Sequence, residues 1–116
     1  MTANPTPLVI YVDVDVDETL IRNDGRSRIP IPAVIRHVRA LYEQGAELYC
    51  WSSGGAVYAR QSAEECGLGD CFRAFLPKSQ VSIDDQHFSN WRRLVHVLPV
   101  GCGDQKVEDY PAALKR

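Results

Sequence analysis

Long apolar runs are missing from this chain of 116 residues, which excludes the simplest membrane architecture. No run approaches the roughly 20 apolar residues that a transmembrane helix needs. Residues 1–7 are polar and lack the basic start of a signal peptide, so we expect a loose lead-in there. These observations predict a cytoplasmic protein without a membrane partner.

Paired cysteine motifs and charge blocks are also lacking. The four cysteines form no CxxC or CxxH pattern, so reduced thiols are expected rather than disulfides or zinc ligands. The formal net charge of −2 offers no general attraction for nucleic acid or for anionic membranes. The chain has no repeat or low-complexity tract, and its length fits one domain spanning residues 1–116.

An alternation of strand-like and helix-like segments is what the chain does contain. Near-continuous apolar residues at 8–15 suit a central strand that is buried on both faces. A turn signal at Asn23-Asp24-Gly25 predicts a hairpin or flap over 21–31. Helices are predicted from Pro32 to just before Gly45 and over 56–66. Further strands are predicted at 46–51, 72–76, 81–83 and 94–100. A helical turn is predicted at 90–93, and a tail over 101–116 is expected to end in a short helix. This order favours an α/β fold with a mainly parallel sheet that is covered by helices on both faces.

Polar residues follow four of the predicted strands, at the sheet edge where ligands bind in open α/β folds. They are Asp15 and Asp17, Ser52 and Ser53, Lys78, and Asp84 and Asp85. One carboxylate can attack phosphorus and a second can carry the proton of the leaving group. A hydroxyl and an ammonium can hold phosphoryl oxygens, and an acidic pair can complete an oxygen shell for Mg²⁺. The ordered set therefore predicts phosphoryl chemistry.

In this set the chain resembles the haloacid dehalogenase (HAD) superfamily of phosphohydrolases. The resemblance runs from about Leu8 to Asp85, and its first motif, DxDxT, is met by Asp15-Val16-Asp17-Glu18-Thr19. It implies a three-layer α/β/α Rossmann-like fold and a Mg²⁺-dependent phosphatase that acts through an aspartyl-phosphate. No cap domain fits in the flap or in the short stretch between Lys78 and Asp84, which is similar to the capless branch. There, large phosphorylated substrates reach an open site or a second subunit closes it.

The resemblance also implies roles for individual residues. Asp15 is expected to be the nucleophile and Asp17 the general acid and base, while Ser52 and Lys78 complete the catalytic set. The substrate phosphoryl group is expected to bind Ser52, Ser53, Gly54 and Lys78. Mg²⁺ is expected to bind Asp15, Asp17 and the pair Asp84 and Asp85, of which either member is the direct ligand.

Several alternatives remain open at the level of the residues. Asp13-Val14-Asp15 is also a DxD pattern, although Thr19 lies at the expected spacing only from Asp17. Ser52-Ser53-Gly54-Gly55 favours an anion cradle at the start of a helix over an ordinary turn with an N-cap serine, and the two roles can coexist. The flap arginines Arg22, Arg26 and Arg28 either contact the substrate or lie in solvent.

Other functions are compatible with parts of the pattern. An enzyme-like fold could bind phosphoryl groups or Mg²⁺ without catalysis, and a capless phosphatase could process the ends of nucleic acids. A receiver domain also places Asp, Ser or Thr, and Lys at strand ends. Its acidic pair comes early in the chain, however, whereas here Asp84 and Asp85 come last.

Overall fold

Three parallel strands form the main sheet of this mixed α/β protein, for which a computed structural model describes residues 10–91 and 93–114. In chain order the strands and α-helices are β1 (Tyr11–Asp15), β2 (Ile21–Asp24), β3 (Ser27–Pro30), α1 (Pro32–Glu43), β4 (Glu47–Ser52), α2 (Ala56–Glu65), β5 (Phe72–Pro77) and α3 (Tyr110–Leu114). Short 3-10 helices span Phe88–Asn90, Pro99–Asp104 and Val107–Asp109. The predicted lead-in over 1–7 lies outside the described residues.

The strand order in the sheet is β1-β4-β5, with both pairs parallel. Asp15 is paired with Trp51, and Trp51 is paired in turn with Leu76. The carboxyl ends of the three strands therefore lie at one edge of the sheet, as the sequence predicts.

The flap is a two-stranded antiparallel hairpin, as the turn signal predicts. Ile21 pairs with Pro30 at its base, and the Ile31 N–H donates to the Leu20 carbonyl at 2.8 Å. The side chains of Leu20 and Ile21 are completely buried. The hairpin is thereby fixed to the core at its base, while its tip is exposed.

Both long helices form where the sequence predicts them. Pro32 occupies the first turn of α1, and Val34, Val38 and Leu41 are buried along one stripe at helical spacing. Helix α2 packs against β4 and β5 and buries the small side chains of Ala59 and Ala63. Within the described part of the chain, no helix is long and apolar enough to cross a bilayer.

Two predicted strands are wrong, and so is the central position of β1. Residues 81–83 and 94–98 are irregular, and residues 99–100 begin a 3-10 helix. Val81 and Ile83 are 80% and 98% exposed, so this three-residue segment buries nothing that would stabilise a ladder. Among the described residues, β1 consequently pairs on one side only, with β4, and it lies at an edge of the sheet.

The C-terminal segment packs on α1. Cys102, Val107 and Tyr110 are buried there, and the Tyr110 hydroxyl lies 2.5 Å from Nε2 of His37. Burial lowers the pKa of His37 and raises the pKa of Tyr110 to about 12. The native contact therefore contains a neutral imidazole and a neutral phenol.

This contact predicts that the protein loses stability as the pH falls. Because the folded-state pKa of His37 is lowered, the unfolded chain binds more protons below the ordinary value of 6.5, and unfolding is favoured there. We expect the free energy of unfolding in urea to fall between about pH 7.5 and about pH 5.5, and to fall less in His37→Gln. Equal pH slopes for the two proteins would contradict the prediction.

Candidate functional site

The carboxyl ends of the three parallel strands bring together three of the predicted site residues. Asp15 ends β1, Ser52 ends β4, and Lys78 directly follows β5. The Nζ atom of Lys78 lies 4.0 Å from Oδ1 of Asp15, and the Lys78 N–H donates to the Ser52 carbonyl at 2.9 Å. The parallel register thus places a carboxylate, a hydroxyl and an ammonium at one edge of the sheet.

The pair of Asp15 and Lys78 is open to solvent. The two side chains are 31% and 43% exposed, and a pair at this distance in water contributes little to stability. The Nζ atom of Lys78 also lies 5.9 Å from the centre of the Trp51 ring, which limits where the ammonium can go. An anion can therefore reach both groups without disrupting the fold.

The turn between β4 and α2 is held together by Ser52. Its side chain is 1% exposed, and its hydroxyl accepts the Gly54 N–H at 3.0 Å. The N-cap of α2 is Gly55, whose φ of 102° lies in the region that favours glycine, so the alternative of an N-cap serine is wrong. Ser53 is exposed at the same turn.

Gly54 is required by a close approach of the Tyr58 ring. A Cβ atom at position 54 would lie 2.8 Å from Cδ2 of Tyr58 and 3.4 Å from the Ser52 hydroxyl oxygen. The ring therefore lies directly against the backbone of the turn, and any side chain at position 54 would displace it.

Asp17 is held by two donors that the sequence does not predict. The Tyr58 hydroxyl donates to Oδ1 of Asp17 at 2.7 Å, and Nδ2 of Asn23 donates to the same oxygen at 3.0 Å. The next residue, Glu18, has a φ of 60°, and its carboxylate accepts the Asn23 N–H at 2.9 Å. Left-handed backbone at a non-glycine residue is uncommon and is often found at functional sites.

Arg28 connects the hairpin to α2 and does not simply lie in solvent. It donates to the Tyr58 hydroxyl at 2.6 Å, to Oγ of Ser62 at 3.0 Å and to the Glu65 carboxylate at 3.2 Å. These contacts span 30 or more residues of sequence, so no local pattern could have predicted them. The only signal in the sequence is the presence of a flap arginine and a helix carrying a tyrosine and an acid.

The acidic pair lies in the irregular segment after β5. Asp84 and Asp85 are exposed, and the Asp84 carboxylate accepts the N–H of Gln86 at 2.9 Å. Over residues 10–91 and 93–114, no three His, Cys, Asp or Glu side chains are grouped closely enough to hold a metal ion. Carboxylates are the ligands that Mg²⁺ prefers, and the expected Mg²⁺ site at Asp15, Asp17, Asp84 and Asp85 stays a prediction.

The cysteine near the site is completely buried. Cys50 precedes Trp51 in β4, and burial, followed by the negative charge of Asp15, raises its pKa to about 12. A thiol with this pKa is protonated near neutral pH. All four cysteines are free thiols, as their spacing predicts.

Comparison with known proteins adds no further assignment. The chain matches no protein-family model, and no curated protein or solved structure matches it significantly. A function is therefore proposed from the geometry of the strand ends and from the motif at Asp15 and Asp17.

Proposed function

We propose that the protein is a phosphohydrolase that cleaves phosphomonoesters through an aspartyl-phosphate at Asp15. The observation that carries this proposal is the position of Lys78 Nζ, 4.0 Å from the Asp15 carboxylate at the carboxyl edge of the sheet. A nucleophile and a cation at this spacing can contact the same phosphoryl group. The proposed fold is the three-layer, capless, HAD-like arrangement, with which the three-stranded parallel sheet and its helices are compatible.

The first half of the reaction transfers the phosphoryl group to the protein. A carboxylate oxygen of Asp15 attacks phosphorus, and the bond from phosphorus to the ester oxygen breaks. The carboxyl group of Asp17 gives its proton to that oxygen, so an alcohol departs. The ammonium of Lys78 offsets the charge on the phosphoryl oxygens, and the buried hydroxyl of Ser52 holds the adjacent turn in place.

The second half regenerates the enzyme. The Asp17 carboxylate takes a proton from water, whose oxygen attacks phosphorus. The bond between phosphorus and the Asp15 oxygen then breaks, which releases inorganic phosphate and the free carboxylate. Asp17 is again protonated, ready for the next cycle.

Mg²⁺ is proposed as the cofactor on the basis of the sequence motif alone. Within the described residues, Asp15, Asp17, Asp84 and Asp85 do not form a metal-holding group, and the steps above use the side chains of the protein alone. We expect turnover to stop in EDTA and to return with added Mg²⁺. Unchanged turnover in EDTA would remove the metal from the proposal and leave the aspartyl-phosphate chemistry in place.

The proposal is tested by trapping the covalent intermediate. The wild-type protein is mixed with an aryl phosphate and Mg²⁺, quenched with acid, digested and analysed by mass spectrometry. One phosphoryl group is expected on Asp15, and hydroxylamine should release it because acyl phosphates are labile to this reagent. Turnover without a labelled Asp15 would overturn the mechanism.

A non-catalytic phosphoryl-binding module is the second candidate. It is favoured by the finding that, within the described residues, no three potential ligand side chains form a metal-holding group, because binding alone does not need a complete metal set. A folded protein that binds phosphate but neither turns over the ester nor becomes labelled would support this candidate.

A further inference from the structure

Asp17 is the only predicted site residue whose carboxylate is held by two side-chain donors within the described part of the chain. Tyr58 comes from helix α2 and Asn23 from hairpin strand β2, so two separate elements meet at one carboxylate oxygen. Both hydrogen bonds go to Oδ1, so Oδ2 is the oxygen from which the proposed acid would give its proton.

The Tyr58 hydroxyl itself is oriented from the other side. It accepts from Nη1 of Arg28 at 2.6 Å, so its own hydrogen is available for Asp17. The ring is fixed as well, because it packs on Gly54 and lies 5.1 Å from the Arg28 guanidinium carbon. Both the position of the ring and the direction of its O–H bond are therefore set.

Arg28 in turn is fixed by α2. Its guanidinium bonds to Ser62, which is completely buried, and to Glu65 on the next turn of the helix. A planar guanidinium with several acceptors holds one orientation better than a lysine ammonium does. Removing Arg28 would free the hydroxyl of Tyr58 to rotate.

We propose that Tyr58 is a positioning residue for Asp17, and that Arg28 acts on Asp17 only through the Tyr58 hydroxyl. This inference rests on the proposed function, in which Asp17 protonates the leaving group. The hairpin therefore helps to orient the Asp17 carboxyl group, since Arg28 and Asn23 both lie in the hairpin.

The kinetic test uses the leaving group as its readout. An alkyl phosphate needs a proton from Asp17, whereas a dinitrophenyl phosphate leaves as a stable anion. In Tyr58→Phe we expect the ratio of kcat/KM for the alkyl ester to that for the dinitrophenyl ester to fall about tenfold or more. A merely structural role would lower both values alike, and an unchanged ratio would overturn the inference.

Arg28→Ala provides the second arm. This substitution should lower the same ratio in the wild-type background. It should have little further effect in Tyr58→Phe, because that variant already lacks the hydroxyl through which Arg28 acts on Asp17. If the two substitutions lowered the ratio independently, so that their effects multiplied in the double variant, the proposed role of Arg28 would be overturned. Tyr49→Phe is the matched control, since the Tyr49 hydroxyl donates to Glu47 within β4 and should leave the ratio unchanged.

A measurement without turnover separates the two proposals. Three-bond NMR couplings report the χ1 rotamer of Asp17, which should be single in the wild type and averaged in Tyr58→Phe and Arg28→Ala. An unaveraged Asp17 in Tyr58→Phe would overturn the inference whether or not the protein is an enzyme. Failure of the wild type to hydrolyse either ester would overturn the proposed function, and the rotamer would still decide the positioning.

Discussion

Asp15→Asn is expected to lower kcat for an aryl phosphate by about four orders of magnitude while leaving the protein folded. Asparagine keeps the shape of the side chain but presents a neutral amide, which is a far weaker nucleophile than a carboxylate. The change removes one partner of the exposed pair with Lys78, whose contribution to stability is at most about 1 kcal/mol. Kinetics and thermal unfolding on the same preparations would measure both effects.

Asp104→Asn is a suitable control for this variant. Asp104 is an exposed acid in the 3-10 helix Pro99–Asp104, so the same chemical change occurs outside the strand ends. Its turnover should match that of the wild type. Retention of full activity by Asp15→Asn would exclude Asp15 as the nucleophile, and Asp15→Ala would show whether slow deamidation of the asparagine supplies any residual rate.

The second large effect is expected in the core. Leu48 lies in β4, the middle strand of the sheet, and its side chain is 1% exposed. Leu48→Ala removes buried methyl groups and leaves a cavity, which should lower the free energy of unfolding by about 3 kcal/mol. The melting temperature should fall by roughly 10 °C or more, as scanning calorimetry would measure.

Leu94→Ala separates this packing effect from the chemical change itself. Leu94 is 52% exposed, so the same truncation should alter the free energy of unfolding by less than about 0.5 kcal/mol. Similar losses in the two variants would show that β4 is not the centre of the core. They would also place the buried surface in the segment after residue 80.

The first two-thirds of the fold follow from local patterns. Pro32 and Gly45 bracket α1, and two serines followed by two glycines lead from the end of β4 directly into α2. Residues 81–83 and 94–100 have β-type composition but form no strand, because strand formation depends on pairing and burial that composition does not report. For the same reason β1 is an edge strand among the described residues despite its apolar sequence.

The site follows from the sequence only where chain order determines position. Asp15, Ser52 and Lys78 come together because each lies at the end of a parallel strand, and the register of the sheet aligns these strand ends. Asp84 and Asp85 depend on a fourth strand that is not formed. Tyr58 and Arg28 depend on contacts between the hairpin and α2, which chain order alone does not encode.

The packing of Tyr58 on Gly54 divides the turn after β4 into closed and open positions. Position 54 is closed, because even a methyl group would push the ring away from the backbone. Position 53 is open, because Ser53 points into solvent beside the same strand end. A mutant library intended to alter which molecules the protein recognises would therefore vary residue 53 and keep glycine at 54. In natural relatives of this sequence, residue 53 would likewise be expected to change more readily than residue 54.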